Sequence, residues 1–371
     1  MADITQAADD MLFSELVVER LLKNDLPITD PVIHNIACLQ RHWRDVEFEL
    51  KFEITERCDL NCSFCHQGFG KKNHCRADFS LSDFKNIIDR AKKEKQIKYI
   101  RITGGEPTLH PAVADLLRCA AAAGFHTILN TNAAHLSPEK IAELVPCVGT
   151  WKISLPAADE NGTDAVTAVS GAWRGKIATL EILSGQKCSI DLLVVMTPQN
   201  IVRIPEFLAL AERFGASCSF LRQESSASHR RPLSREHIEQ LLSILEKTQS
   251  QLGLAVPFCA TGDMERIASL ADGRILCGPY SSLVVKPGGF VHHCYSRRIP
   301  HPAKNGFMDA AIRLAAEDFI RLPGACRECA YGASCLGGCR CGCALQNSPA
   351  GPIDYLADLE HKHTRPSGER G

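Results

Sequence analysis

From Phe48 to Arg222 the chain alternates between two hydrophobic patterns. Phe48-Glu49-Leu50-Lys51-Phe52-Glu53-Ile54 switches between apolar and polar at every step, as a half-buried strand does. Further strands are expected over 98–103, 126–131, 150–155, 189–196 and 217–222. Between them apolar residues recur at helical spacing, which predicts helices over 81–94, 111–123, 138–144, 174–185 and 203–213. Ser80 or Ser82 and the pair Ser137-Pro138 supply helix starts. Gly124 and Gly215 stand where a helix end takes a left-handed residue. Strand–helix alternation with short connections means a parallel sheet. A doubly wound open sheet and a partial barrel satisfy this periodicity equally.

The flanks read differently. In residues 1–46, Met11, Leu12, Leu16, Val17, Leu21 and Leu22 mark one helix and Ile36–Trp43 a second, a helical extension expected to cap the core. The strand–helix core is placed at 47–230, and a linker helix at 231–256, strongest over Arg235–Gly253. After 257 the composition shifts to Cys and Gly, which sets off 257–347 as a small cysteine-rich domain. There Val284–Val291 reads as a hairpin turning at Pro287-Gly288-Gly289. The stretch 348–371 is a charged tail, poor in apolar residues.

Composition narrows the function classes. A net charge of −1 points to no nucleic-acid or membrane surface. No apolar run is long enough to span a bilayer. Met1-Ala2-Asp3-Ile4 lacks a basic, then apolar, secretion signal, so the expected compartment is the cytoplasm. There, eighteen cysteines in 371 residues fit metal sites better than disulfides.

The chemistry centres on Cys58-Asp59-Leu60-Asn61-Cys62-Ser63-Phe64-Cys65, spaced C-x₃-C-x₂-C just after the first strand. Parallel α/β proteins place their ligands at such strand ends. A four-iron cluster takes one ligand per iron, so three thiolates leave one iron open for reaction. Zinc or a disulfide pair is the alternative, although structural zinc asks for four ligands. After the second strand comes Gly104-Gly105-Glu106-Pro107, with glycines that let backbone approach a ligand closely.

These two motifs together resemble the radical S-adenosylmethionine (radical SAM) superfamily. The resemblance implies a partial (β/α)₆ TIM-like barrel, a [4Fe–4S] cluster on Cys58, Cys62 and Cys65, and S-adenosylmethionine (SAM) bound at its open iron. Gly104, Gly105, Glu106 and Pro107 would hold the methionine amino group. Thr131-Asn132 and Ser154, at the third and fourth strand ends, would meet the ribose or carboxylate, and Met196 the adenine side. Ser170-Gly171 stands where members of the family carry an arginine before a glycine. His66, next to Cys65, is a weaker candidate near the cluster.

The C-terminal cysteines extend the resemblance. Cys277, Gly289 and Cys294 form C-x₁₁-G-x₄-C, and Cys326, Cys329, Cys335 and Cys339 form C-x₂-C-x₅-C-x₃-C, with Cys341 and Cys343 directly after. This is similar to a SPASM domain, which implies one or two auxiliary [4Fe–4S] clusters. One would use Cys277, Cys294 and Cys339, with Cys259 available upstream as a fourth ligand. The other would use Cys326, Cys329 and Cys335, completed by Cys343 or Cys341, by Asp354 or His361, or left open to substrate. Zinc is again the alternative.

The implied reaction is reductive SAM cleavage to a 5′-deoxyadenosyl radical that abstracts substrate hydrogen, with electrons from a flavodoxin or ferredoxin. Auxiliary clusters suit oxidation or cross-linking of a peptide or protein. The short N-terminal extension, too small for a winged-helix peptide-recognition domain, leaves a small molecule such as an aminoglycoside, nucleoside or cofactor precursor as the alternative. A non-catalytic metal scaffold is the third reading. For a catalytic base, Tyr295, His292, His293 and Glu224 are candidates by position alone.

Overall fold

The computed structural model describes residues 2–65, 67–68, 70, 78–223, 233–248, 256–272, 275, 280–292, 294–295 and 300–339, with side chains from residue 12 onward. The chain forms two compact units, each drawn from separated stretches of sequence. Among the described residues no helix is long and apolar enough to cross a membrane.

One unit comprises Glu47–Gln223 and Leu283–Gly306. Its strands are β1 (Phe48–Glu53), β2 (Ile97–Thr103), β3 (His126–Thr131), β4 (Thr150–Ser154), β5 (Ile190–Met196) and β6 (Ser217–Arg222), close to their expected bounds. They pair in parallel and strictly in sequence order. A doubly wound sheet would reverse its order at a switch point. This one does not, and six parallel strands with helical crossovers make a partial (β/α)₆ barrel. The hairpin β7 (Ser282–Val285) and β8 (Val291–His292) pairs antiparallel, with Gly288 and Gly289 at positive φ in its turn, and lies at the β1 edge of the sheet.

To name the helices in chain order, α1 (Ala2–Lys23) and α2 (Asp30–Asp45) precede the sheet. The crossovers carry α3 (Leu81–Ala91), α4 (Val113–Ala122), α5 (Pro138–Leu144), α6 (Glu160–Thr167), α7 (Ala172–Gly185) and α8 (Ile204–Phe214). Ser80 Oγ caps α3, Ser137 Oγ caps α5, and Gly215 ends α8 at φ +61. Helix α6 falls where Asn161-Gly162 looks like a turn. It forms because Asp159 Oδ1 accepts from Gly162 N–H at 2.6 Å and caps the first turn.

The two faces of β1 explain the barrel. Phe48, Leu50 and Phe52 are fully buried, and the Phe52 ring meets Phe84 of α3 at 4.7 Å between centroids. The opposite face carries Glu49, Lys51 and Glu53, and strand register sets Lys51 beside Arg101, Asn130 beside Lys152, and Lys152 beside Asp191. These charges pair inside the barrel. Arg101 Nε meets Glu49 Oε1 at 2.6 Å, Lys286 Nζ meets Glu53 Oε2 at 2.8 Å, and Lys152 pairs with Asp191. Such pairing offsets the desolvation of the charges and adds little net stability.

The other unit gathers Met1–Val46, Glu224–Ser282 and Phe307–Gly371. It holds α1, α2, α9 (Arg235–Lys247), α10 (Met264–Ala271), α11 (Phe307–Ile320), α12 (Gly324–Arg327) and α13 (Gly332–Cys335). Phe13 of α1 lies 6.4 Å from the rings of both Trp43 and Phe319, and Tyr280 stacks on Trp43. The Tyr280 hydroxyl donates to Ala315 O at 3.0 Å, which satisfies its polar end in this core.

Candidate active site at the Cys58 loop

The pairing of β1 with β2 continues past both strand ends. Ile54 N–H donates to Thr103 O at 2.9 Å, Gly105 N–H to Thr55 O at 2.8 Å, and Glu106 N–H to Arg57 O at 2.7 Å. This carries Cys58 out alongside Gly104–Glu106. The glycines are required by the neighbouring chain: Gly104 sits at φ +147, and a Cβ on Gly105 would lie 2.1 Å from Arg57 O. The loop then turns through Cys65 N–H to Cys62 O at 3.2 Å. It is pinned to the end of α6 by Asn61 N–H to Thr167 O and Ser63 N–H to Val166 O, both 2.9 Å. Cys58 and Cys62 pack against Leu60, Ala134 and Ala172.

Glu106 and Asn132 tie the strand ends together. The Glu106 carboxylate, 2% exposed, accepts from Thr108 N–H and Oγ1, from Thr131 Oγ1 at 2.8 Å and from Asn132 N–H at 2.7 Å. Burial raises its pKa, and these donors only partly offset that. Asn132 Nδ2 donates to Asp59 Oδ1 at 2.7 Å, inside the cysteine loop itself.

Helix α7 completes the site. A Cβ on Gly175 would fall 1.8 Å from Ala134 O, so glycine is what lets this helix touch the β3 exit. Thr179 Oγ1 donates to Ala133 O at 3.1 Å. Lys176, with no exposed surface, donates from Nζ to Asn132 O and to Ser154 O, the latter at 2.9 Å. Desolvation lowers the Lys176 pKa to about 8 against the pull of Cys62, Glu106, Asp59 and Cys58. Burial likewise pushes the Cys58 thiol up to about 12, and Cys62 to about 11 despite the nearby Lys176 ammonium. Three soft thiol donors, coupled to one another and faced by a buried cation, fit an anionic iron–sulfur cluster.

The remaining candidates are distributed as follows. His66, His293, Glu224, Cys277, Cys341, Cys343, Asp354 and His361 lie outside the described residues. His292 is 7% exposed in β8. Tyr295 accepts at its carbonyl from Gln67 Nε2 at 3.0 Å, and Lys51 Nζ stands 5.8 Å from its ring centroid. Cys294 follows β8 in the same unit, close enough to Lys51 to raise its pKa against the larger effect of burial. Met196 belongs to the buried core. Cys259, Cys326, Cys329, Cys335 and Cys339 belong to the other unit, where the first four line one cavity.

The radical SAM superfamily pattern matches residues 52–211, the stretch that contains this site. Residues 52–211 belong to the radical SAM superfamily. It is 26% identical over 321 residues to the mycofactocin maturase MftC of Mycobacterium ulcerans, covering 80% of this chain and 84% of that protein. It is 25% identical over 336 residues to the PqqA peptide cyclase of Gluconobacter oxydans, covering 84% and 91%. The solved structure of Streptococcus suis SuiB bound to S-adenosylmethionine shares the fold at a TM-score of 0.64 and 17% identity, over 92% of this chain and 86% of that one. As a radical SAM enzyme, the protein takes a [4Fe–4S] cluster and SAM as its cofactors.

Two features of this radical SAM barrel were not evident in the sequence. Lys176 carries the only hint, a lysine directly after a glycine in the interior of an apolar helix, where glycine costs about 1 kcal/mol without a packing reason. The interior charges Glu49, Lys51, Glu53 and Arg101 look like a solvent face on any single alternating strand. Only closure of the sheet turns that face inward.

Proposed function

We propose that Cys58, Cys62 and Cys65 hold the [4Fe–4S] cluster with one iron left for SAM, and that the enzyme oxidatively modifies or cross-links a peptide or protein side chain. The observation that carries this is the convergence of the three-cysteine loop with Gly104–Glu106, Asn132, Ser154 and Lys176 at one end of the barrel. When bound, cluster and SAM together supply a 5′-deoxyadenosyl radical able to take hydrogen from an unactivated carbon; the protein binds, orients and excludes side reactions. Gly104, Gly105 and Pro107 shape the wall beside the cysteine loop. Glu106 holds Asn132 in place, Asn132 orients Asp59, and Lys176 balances the thiolate charge. The strand-end carbonyl of Ser154 is anchored by the same ammonium. The paired charges inside the barrel suit a polar substrate.

The cysteine-rich stretch 257–347 is read as a SPASM-type domain whose cysteines would hold auxiliary clusters able to take up the substrate electron. A flavodoxin or ferredoxin supplies the reducing electron. The peptide reading is favoured over a small molecule by the extent of similarity. The PqqA peptide cyclase matches 84% of this chain, whereas the AdoMet-dependent heme synthase of Methanosarcina barkeri matches 45%. SuiB has also been solved bound to its precursor peptide SuiA.

The test is anaerobic reconstitution followed by dithionite and SAM, with 5′-deoxyadenosine measured by mass spectrometry. Peptides encoded beside the gene are then added and scanned for loss of hydrogen mass. Release of 5′-deoxyadenosine with a dehydrogenated peptide is expected. No 5′-deoxyadenosine, or zinc in place of iron and sulfide, overturns the radical reading. Turnover of a sugar or nucleoside in place of any peptide overturns the substrate class.

A further inference from the structure

Four thiols from two distant stretches surround one cavity in the second unit. Cys259 sits in the short turn Phe258–Ala260, Cys326 in α12, Cys329 two residues beyond that helix's last residue, and Cys335 at the end of α13. Together with Phe258 and Met264 they line the same space, and Cys259, Cys326 and Cys329 are 5%, 7% and 6% exposed. Phe258 N–H donates to Cys335 Sγ at 3.3 Å, a bond that spans 77 positions and ties the Cys259 turn to the far cysteine. Tyr331 N–H donates to Cys329 Sγ at 3.4 Å.

We infer that Cys259 is the fourth ligand of the cluster held by Cys326, Cys329 and Cys335, so that this auxiliary cluster is closed to substrate. The inference rests on the SPASM-type reading above and adds to it the identity of the closing ligand. Four cysteines give one thiolate per iron, the full requirement of a [4Fe–4S] cluster. The four cysteines line one space although Cys259 comes from a stretch far from the other three, and the Phe258 N–H bond to Cys335 Sγ fixes the Cys259 turn beside them. A metal core there would bind these thiols in their deprotonated form. Among the described residues no three Cys, His, Asp or Glu side chains converge as a single ion requires. Backbone N–H groups aimed at two of the sulfurs are the kind of contact that sets a cluster's potential. Cys259 is thereby withdrawn from the group Cys277, Cys294 and Cys339, and neither Cys341 nor Cys343 is needed to complete this one.

The experiment uses the full chain carrying Cys58→Ala, Cys62→Ala and Cys65→Ala, so that only auxiliary clusters contribute. Into it go Cys259→Ala, Cys341→Ala or Cys343→Ala. Iron, acid-labile sulfide and zinc are measured after anaerobic reconstitution, together with EPR spectra. Cys259→Ala is expected to lose roughly four irons per chain or to show a three-iron EPR signal, while Cys343→Ala and Cys341→Ala keep this cluster. In the unsubstituted chain, Cys259 is expected to be protected from iodoacetamide to the same degree as Cys326 once loaded, and to react once the iron is removed. That second readout does not depend on a variant folding. Full iron and an unchanged spectrum in Cys259→Ala, or rapid alkylation of Cys259 in loaded protein, overturns the assignment of Cys259 alone. Zinc without sulfide in the parent overturns the cluster reading beneath it.

Discussion

The two cysteine sites are built on opposite plans. At the Cys58 loop the thiols come from eight consecutive residues on one turn and are only partly covered. At the Cys259 cavity they come from stretches far apart in sequence, and three of them are almost fully buried. Each site has a buried cation that donates to backbone carbonyls: Lys176 to Asn132 and Ser154, Arg327 to Ile320 and Leu322. The difference lies in the count and cover of the sulfurs. Three thiolates leave one iron of a four-iron cluster open to a reactant, whereas four would leave none. On the assignments proposed above, the loop is suited to chemistry and the cavity to passing electrons.

The sharpest way to break this comparison is Cys62→Ala. It is expected to abolish 5′-deoxyadenosine formation, a loss of more than about a thousandfold in keeping with removal of an obligatory cofactor ligand. The auxiliary iron and sulfide should stay in place. Loss of all iron together would mean the two sites are not separate.

Next in size is Lys176→Met, which keeps the side-chain length but removes the charge. The strand-end carbonyls of Asn132 and Ser154 lose this buried donor, at about 1–3 kcal/mol for each group left unsatisfied. Removing a cation beside the cluster should also move its midpoint potential in the negative direction, read by EPR-monitored titration. An unchanged potential would deny Lys176 an electrostatic role.

Asn35→Ala probes the cavity side. Asn35, on α2 and 1% exposed, donates from Nδ2 to Arg327 O and Cys329 O, both at 2.9 Å, and accepts from Ala333 N–H at 3.1 Å. Losing three such bonds is expected to cost about 2–4 kcal/mol. It should speed release of auxiliary iron to a chelator while 5′-deoxyadenosine formation continues. The smallest effect belongs to Arg118→Ala, which breaks exposed ion pairs with Asp115 and Glu143. Under about 1 kcal/mol is expected, with neither site altered in iron content or potential.

Much of the barrel was legible because each strand and helix states its own period. Phe48–Glu53 alternates, Ser80 and Ser137 cap, and Gly215 stops a helix. The cysteine spacings were legible because ligands on one loop must be close in sequence. What stayed hidden depends on partners far apart in sequence. Nothing near Cys259 points to Cys335, 76 positions away, since a single buried cysteine is ordinarily a small core residue. Helix α6 was masked by an Asn-Gly pair that serves equally in a turn. Lys176 was masked because a lysine on a helix is usually at the surface, and only the missing Cβ of Gly175 brings it inside.

The bond from Asn35 to Arg327 spans 292 positions, which sets an order on how the protein is made. A growing chain carries this amide through 292 further positions before the carbonyl it grips is made. The Cys58 turn, by contrast, is complete once its own strand–helix neighbours have emerged. Any factor that delivers iron during translation would therefore meet the reactive site long before the second one takes shape. On the proposed assignment, the direction of synthesis makes the ligands of the reactive site available before those of the second.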